Sequence, residues 1–246
     1  MELSDFFGDS LAFPVSIFVT QNDKQFDSLV GENFPDWGVG AAIPSQYLIV
    51  VKSPTKHNYF KSLPEVLTHE LAHIFLGNKV NRQDLPRWLD EGFAMYIAQE
   101  RRWDVVLSVA KAVFTGSLVN LTEIDSVNSF NSPKAHLAYL ESYLAVNYFI
   151  QIYGRDSFKE LISNLAGGEN INSALVKTIG LDYRRFSDEF AGHLRRKYNW
   201  TSFFSDSLLL WLMLAFLIVM LYFVKKSKTK KIVKGWEKEE HWQKEE

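Results

Sequence analysis

Cysteine is absent from the 246 residues. No disulfide therefore holds any part of the chain together, which is compatible with a reducing or an oxidising compartment. No internal repeat is visible either. A basic excess is missing too: residues 1–202 carry 19 Lys and Arg against 23 Asp and Glu, and an acidic domain gives no reason to expect a nucleic-acid partner. An export signal is not visible at the start, because Met1–Asp5 is acidic and Leu11–Val19 is broken by Pro14. The expectation is a longer precursor or a signal already removed. What remains, 47% hydrophobic, 15% aromatic and 23% charged, is ordinary for a globular domain with something extra.

The extra is a stretch that lacks charge altogether, LLLWLMLAFLIVMLYFV at 208–224. At about 1.5 Å per residue its seventeen positions come near the short limit for a bilayer span, and Trp200, Phe203, Phe204 and Tyr222 supply interfacial aromatics. A buried core helix is disfavoured, because the run has no polar face and is followed at once by Lys225, Lys226, Lys228, Lys230, Lys231 and Lys234. Lysines of that density stay on the cytoplasmic side. The chain thus divides into an extracytoplasmic domain at 1–202, a transmembrane helix at 203–224 that meets the lipid bilayer through 208–224, and a basic, then mixed-charge cytoplasmic tail at 225–246. The tail has the composition of a solvated segment.

The chemistry concentrates at 63–102. His69-Glu70-Leu71-Ala72-His73 is followed, eighteen positions after His73, by Glu91 within Trp88-Leu89-Asp90-Glu91-Gly92. A helix turns about 100° per residue, so relative to His69 the side chain of Glu70 points to about 100° and that of His73 to about 40°. All three share one face, and Leu67, Leu71, Ile74 and Phe75 fall roughly opposite, toward a core. Imidazoles at i and i+4 reach a single metal ion. Catalytic zinc takes a third protein ligand and keeps a fourth position for water, and Glu91 is the candidate third ligand. Glu70 lies too far round the helix to complete that set and is placed to take the water's proton. In a shuffled chain of this composition an HExxH arises about once in a hundred. An incidental histidine pair on a surface helix would also leave unexplained the second helix that Pro86 opens.

HELAH together with WLDEGFA resembles the gluzincin metallopeptidases, and WLDEGFA is similar to the WLNEGFA segment of their aminopeptidase N-like branch. The resemblance implies Zn2+ held by His69, His73 and Glu91, Glu70 as the base, and a peptide or protein substrate. Two departures stand out: seventeen residues separate His73 from Glu91, one fewer than is usual in that branch, and Asp90 replaces its Asn. Metzincins are excluded, since their Gly and third His would fall on Leu76 and Lys79. An intramembrane protease is excluded by Lys61, Glu65, Asn78 and Lys79 around the HELAH helix. The alternative from another class is a catalytically silent ectodomain of the same fold that binds a peptide or partner. An intact Glu70 argues against it.

Along the chain, Val15–Thr20 and Tyr47–Lys52 read as strands and Asp23–Val30 as a short helix. Gly38-Val39-Gly40-Ala41-Ala42 is either a glycine-rich loop or the edge strand that in gluzincins pairs with the substrate backbone. The aminopeptidases of the resembling family carry a Glu in this segment to bind the substrate's N-terminus; 38–44 has none, so an endopeptidase is favoured. Helical patterns follow at Asp104–Phe114, Pro133–Tyr153, Ser157–Leu165, Asn172–Ile179 and from Asp182 to about Tyr198. The predicted fold is α+β: a zincin-like domain of small sheet, HExxH helix and helical second half, followed by one transmembrane helix. Ala138–Tyr143 is similar to the stretch that carries the catalytic tyrosine in the aminopeptidase N-like branch. That resemblance makes Tyr139 the candidate oxyanion donor, with Tyr143 on the same helical face as the alternative.

Overall fold

The computed structural model describes residues 6–8, 11, 13–31, 38–54, 61–81, 84–100, 105–199 and 208–242, the last through the backbone alone beyond Thr229. Trp200, Phe203 and Phe204, named above as interfacial, and Asp104 lie outside these residues. Two units divide the chain, Met1–Tyr198 and Asn199–Glu246.

In the first unit, β1 (Ser16–Thr20), α1 (Asp23–Val30), β2 (Gly40–Ile43) and β3 (Leu48–Lys52) form a small mixed sheet with one helix on it. The strand order is β1-β3-β2, with β1 parallel and β2 antiparallel to β3. GVGAA therefore ends in an edge strand. Alternation along β3 sends Ile49 and Val51 to one face, against Val66 and Ile74 of α2 (Leu63–Lys79), and Val50 to the other, against Phe26 of α1.

Why α2 starts where it does is legible in Ser62-Leu63-Pro64-Glu65. The Ser62 hydroxyl accepts from the Glu65 N–H and the Glu65 carboxylate accepts from the Ser62 N–H, both at 3.4 Å, so two otherwise unpaired donors are satisfied. Pro64 sits in the first turn, where its missing N–H costs nothing. The apolar pattern of α2 suggested one buried side, but the helix is covered on two. Val66 and Ile74 meet the sheet, while Ala72 and Leu76 meet the helical core. The arc with His69, Glu70 and His73 lies between those flanks and opens on a cleft.

The helical core is built on α3 (Arg87–Ile97), which buries Trp88, Leu89, Phe93, Ala94, Met95 and Ile97 against α2 and the long α5 (Ser132–Ala166). Gly92 sets the spacing of α3 and α5: a Cβ there would stand 2.2 Å from the carbonyl oxygen of Ser142. Overpacking of that kind costs about 1–3 kcal/mol. Gly92→Ala is expected to lower the melting temperature of the domain by several degrees, and an unchanged transition would mean that the two helices are not in this contact.

The remaining helices are α4 (Val105–Thr115), α6 (Ile171–Ile179) and α7 (Tyr183–Lys197). The two patterns predicted at 133–153 and 157–165 are the arms of α5, joined through Gly154 at φ 89°. Gly180 ends α6 in the left-handed region, and Asp182 begins α7 by accepting from the Arg185 N–H at 2.8 Å. In the second unit α8 (Leu208–Trp242) contains a stretch, Leu210–Thr229, long and apolar enough to cross a membrane. The helix does not stop with the apolar run. Lys and Glu are good helix formers and no proline follows Pro133, so nothing local ends it before Trp242.

Candidate metal centre

Helix α2 presents His69 and His73 one turn apart with their Nε2 atoms 3.2 Å from each other. Helix α3 brings Glu91 against them, its Oε2 3.6 Å from His69 Nε2 and 3.7 Å from His73 Nε2. The ring orientations are set from behind. His73 Nδ1 donates to Asp90 Oδ1 at 2.7 Å, and Glu100 Oε1 lies 2.7 Å from His69 Nδ1. With the Nδ1 hydrogen of His73 on Asp90 and the Glu100 carboxylate against His69 Nδ1, the Nε2 atoms are the ones turned toward Glu91 Oε2. With neither Nε2 protonated, three acceptor atoms converge on one point, an arrangement that a metal cation satisfies.

The spacing can be tested against zinc. Tetrahedral coordination with bonds of about 2.0–2.1 Å places neighbouring ligand atoms about 3.3 Å apart. The observed edges of 3.2, 3.6 and 3.7 Å need adjustments of a few tenths of an ångström, within the reach of side-chain rotation. His69, His73 and Glu91 are thus a group that could hold a metal ion. Glu91 keeps its second oxygen for Arg87, whose Nη2 lies 2.9 Å from Oε1.

Electrostatics point the same way. Burial is the largest influence on each group here and opposes its charge. The His69 imidazole is nevertheless pushed up to about 10, chiefly by the carboxylates of Glu100 and Glu91 beside it. His73 is raised by Asp90 and Glu91. The Glu91 carboxyl is held well below the usual range by His73, His69 and Arg87, and Glu100 falls to about 2 through His69 and Lys61. For Glu70 burial prevails and its pKa is raised. The carboxylates that favour a proton on these imidazoles also favour a divalent cation in its place.

Glu70 is nearly buried, lines the cleft and is not a member of the metal-holding group. Edge strand β2 passes so near that a Cβ on Gly40 would lie 2.7 Å from Glu70 Oε1 and 3.0 Å from Val66 Cγ1. Glycine at 40 is therefore a condition of the carboxylate's position. The cleft has a volume of about 520 Å³ and runs from Gly38–Ala42 across α2 to α3 and the first turns of α5. Tyr139 and His136 line it. The Tyr139 hydroxyl lies beside Arg87; burial, then Glu91, raise its pKa, and the Arg87 charge opposes the rise. Tyr143 is not among the residues lining the cleft; it packs against the helical core, where it neighbours Tyr96 and Tyr198.

Asp90, Glu100 and Arg87 were not read from the sequence as parts of the site. Asp90, next to Glu91 in sequence, points about 100° from it on the helix. That angle is what lets it reach the back of His73. Arg87 stands four residues before Glu91, a spacing that pairs opposite charges on a helix and was available as a signal. Glu100 carries no such signal. It lies beyond the end of α3, after Gln99 has turned the chain through the left-handed region at φ 51°, and reaches His69 by tertiary packing alone.

A small mixed sheet with β2 at its edge among the described residues, an HExxH helix beneath it and a second helix that returns a glutamate to the histidine pair define a peptidase-like fold. The sequence profile of the Peptidase MA superfamily matches residues 1–196, and the chain belongs to that superfamily. No curated protein matches the chain.

Proposed function

We propose that the chain is a membrane-anchored, zinc-dependent metallopeptidase that hydrolyses internal peptide bonds of peptides or unfolded proteins. The observation that carries this reading is the convergence of two imidazole Nε2 atoms and one carboxylate oxygen, each backed by a further charged group, on one wall of a cleft beside an open strand edge. His69, His73 and Glu91 would hold zinc, which would supply a Lewis acid and lower the pKa of the attacking water. Glu70 takes the proton of the attacking water on its carboxylate and later delivers it to the leaving amine. The free edge of β2 pairs with the substrate backbone in extended form, and Gly40 lets that backbone pass close to Glu70. Tyr139, steadied by Arg87, donates its hydroxyl hydrogen to the oxygen on which negative charge develops.

Endopeptidase action is the reading favoured by residues 38–44, which carry no acidic side chain to hold a free N-terminus. The apolar stretch Leu210–Thr229 supports anchoring, and the lysines beyond it support a catalytic domain turned away from the cytoplasm. The test uses the full chain in detergent with an unfolded protein as substrate. Hydrolysis is expected to stop on chelation and to return on adding zinc; hydrolysis unaffected by metal removal would defeat the proposal.

A further inference from the structure

The two ends of the cleft differ in chemistry, and β2 gives their order along α2. Gly40, where β2 begins, lies against Val66 and Glu70. Pro44, directly after β2, lies against Gly77: a Cβ on Gly77 would stand 2.6 Å from Pro44 Cγ. Strand β2 and helix α2 therefore run the same way. Beyond His73, the lining contributed by β2 and α2 is Ala42, Pro44 and Gly77, which carry no charge. Lys61 lines the opposite end, one residue before the Ser62 cap of α2.

The Lys61 ammonium has hydrogens to spare. Its Nζ lies 2.6 Å from Glu100 Oε1, the oxygen that also lies 2.7 Å from His69 Nδ1. An ammonium offers three donors, and no second acceptor meets this one among the described residues. The side chain is 33% exposed. The other charged groups of the lining are turned into the site: Arg87 pairs with Glu91, and Asp90 with His73. The Lys61 charge also reaches the reacting region. Burial raises the Glu70 carboxyl, and Lys61 is among the cations that oppose the rise.

We infer that Lys61 selects substrates: its ammonium binds a carboxylate of the peptide on the C-terminal side of the cleaved bond. The inference rests on the peptidase reading. The side follows from strand direction. Antiparallel pairing is slightly more stable per residue than parallel pairing, and a peptide added antiparallel to β2 runs against α2. Its residues beyond the scissile bond then lie toward Lys61. Glu100 already holds the ammonium in place, so little further ordering is needed when a carboxylate arrives. The hydrogen bond formed is charge-assisted. An Asp or Glu side chain and a free C-terminus present the same group.

The test uses the full chain in detergent carrying Glu70→Gln, so that peptides bind without being cut. Fluorescein-labelled decapeptides of alanine and leucine contain one Glu, or Gln in its place, each with a free or an amidated C-terminus, and anisotropy gives their affinities. A carboxylate is expected to tighten binding about tenfold, the lower end for a hydrogen bond between charges and suited to a partly exposed lysine. Adding Lys61→Met is expected to remove the difference, and Lys61→Arg to keep it. A gain from Glu in the amidated peptide identifies a side-chain carboxylate, and a gain from the free end of the Gln peptide identifies the terminus. Equal affinities with Lys61 intact overturn the inference. So does a Lys61→Met chain that binds every peptide more weakly by the same factor, since the lysine then serves only to hold Glu100 behind His69. Cuts made by the wild-type chain in an unfolded protein, mapped by mass spectrometry, are expected to have a carboxylate shortly after the cleaved bond; carboxylates enriched before it overturn the inference. Carboxylate-dependent binding without any cleavage by the wild type leaves the Lys61 site standing and defeats the peptidase reading instead.

Discussion

Glu70→Gln is expected to keep the metal and the fold while lowering peptide hydrolysis by about 10²- to 10⁴-fold, the range of a general base. The amide fills the same volume next to Gly40 and Val66, so β2 and α2 need not move. It cannot accept a proton. Because Glu70 stands outside the group formed by His69, His73 and Glu91, losing its carboxylate leaves those three in place. Metal content and the thermal transition therefore serve as internal controls. Normal turnover by a Glu70→Gln chain that still carries its metal would place the base elsewhere.

Tyr139→Phe carries the second large effect. A donor that engages only as charge develops in the transition state contributes turnover and not affinity, so kcat is expected to fall by about 10²- to 10³-fold with KM and metal content near normal. Tyr143→Phe is the matched control. Tyr143 shares the helical face by sequence but packs on the core away from the cleft lining, so its substitution is expected to move the melting temperature and spare the rate. Rate loss in Tyr143→Phe and none in Tyr139→Phe would exchange the two roles.

What the sequence discloses about this site is what helical periodicity and short motifs can encode. HELAH puts two imidazoles and a carboxylate on one face of α2, Ser62 and Glu65 mark its start, and Trp88–Ala94 supplies a returning glutamate on α3. The kink at Gly154 and the caps at Asn170 and Asp182 are equally local. Contacts that depend on how elements meet are not encoded this way. Glu100 reaches His69 only because the chain turns at Gln99, and Gly40 matters only because β2 is laid beside α2. The second covered flank of α2 likewise appears only once the sheet and α3 take opposite sides of the helix. The pattern at α4 likewise predicts a helix but not its packing, since an apolar helix of that length gives no sign of which sides the core will use.

Zinc stoichiometry of the purified full chain tests the account most directly. Wild type is expected to hold one zinc, and His69→Ala, His73→Ala and Glu91→Ala to hold none. Asp90→Ala and Glu100→Ala, which remove groups behind the ligands, are expected to keep the ion with affinity reduced about 10- to 100-fold. A wild-type chain that takes up no zinc, or a Glu91→Ala chain that binds it normally while Asp90→Ala does not, would contradict the assignment.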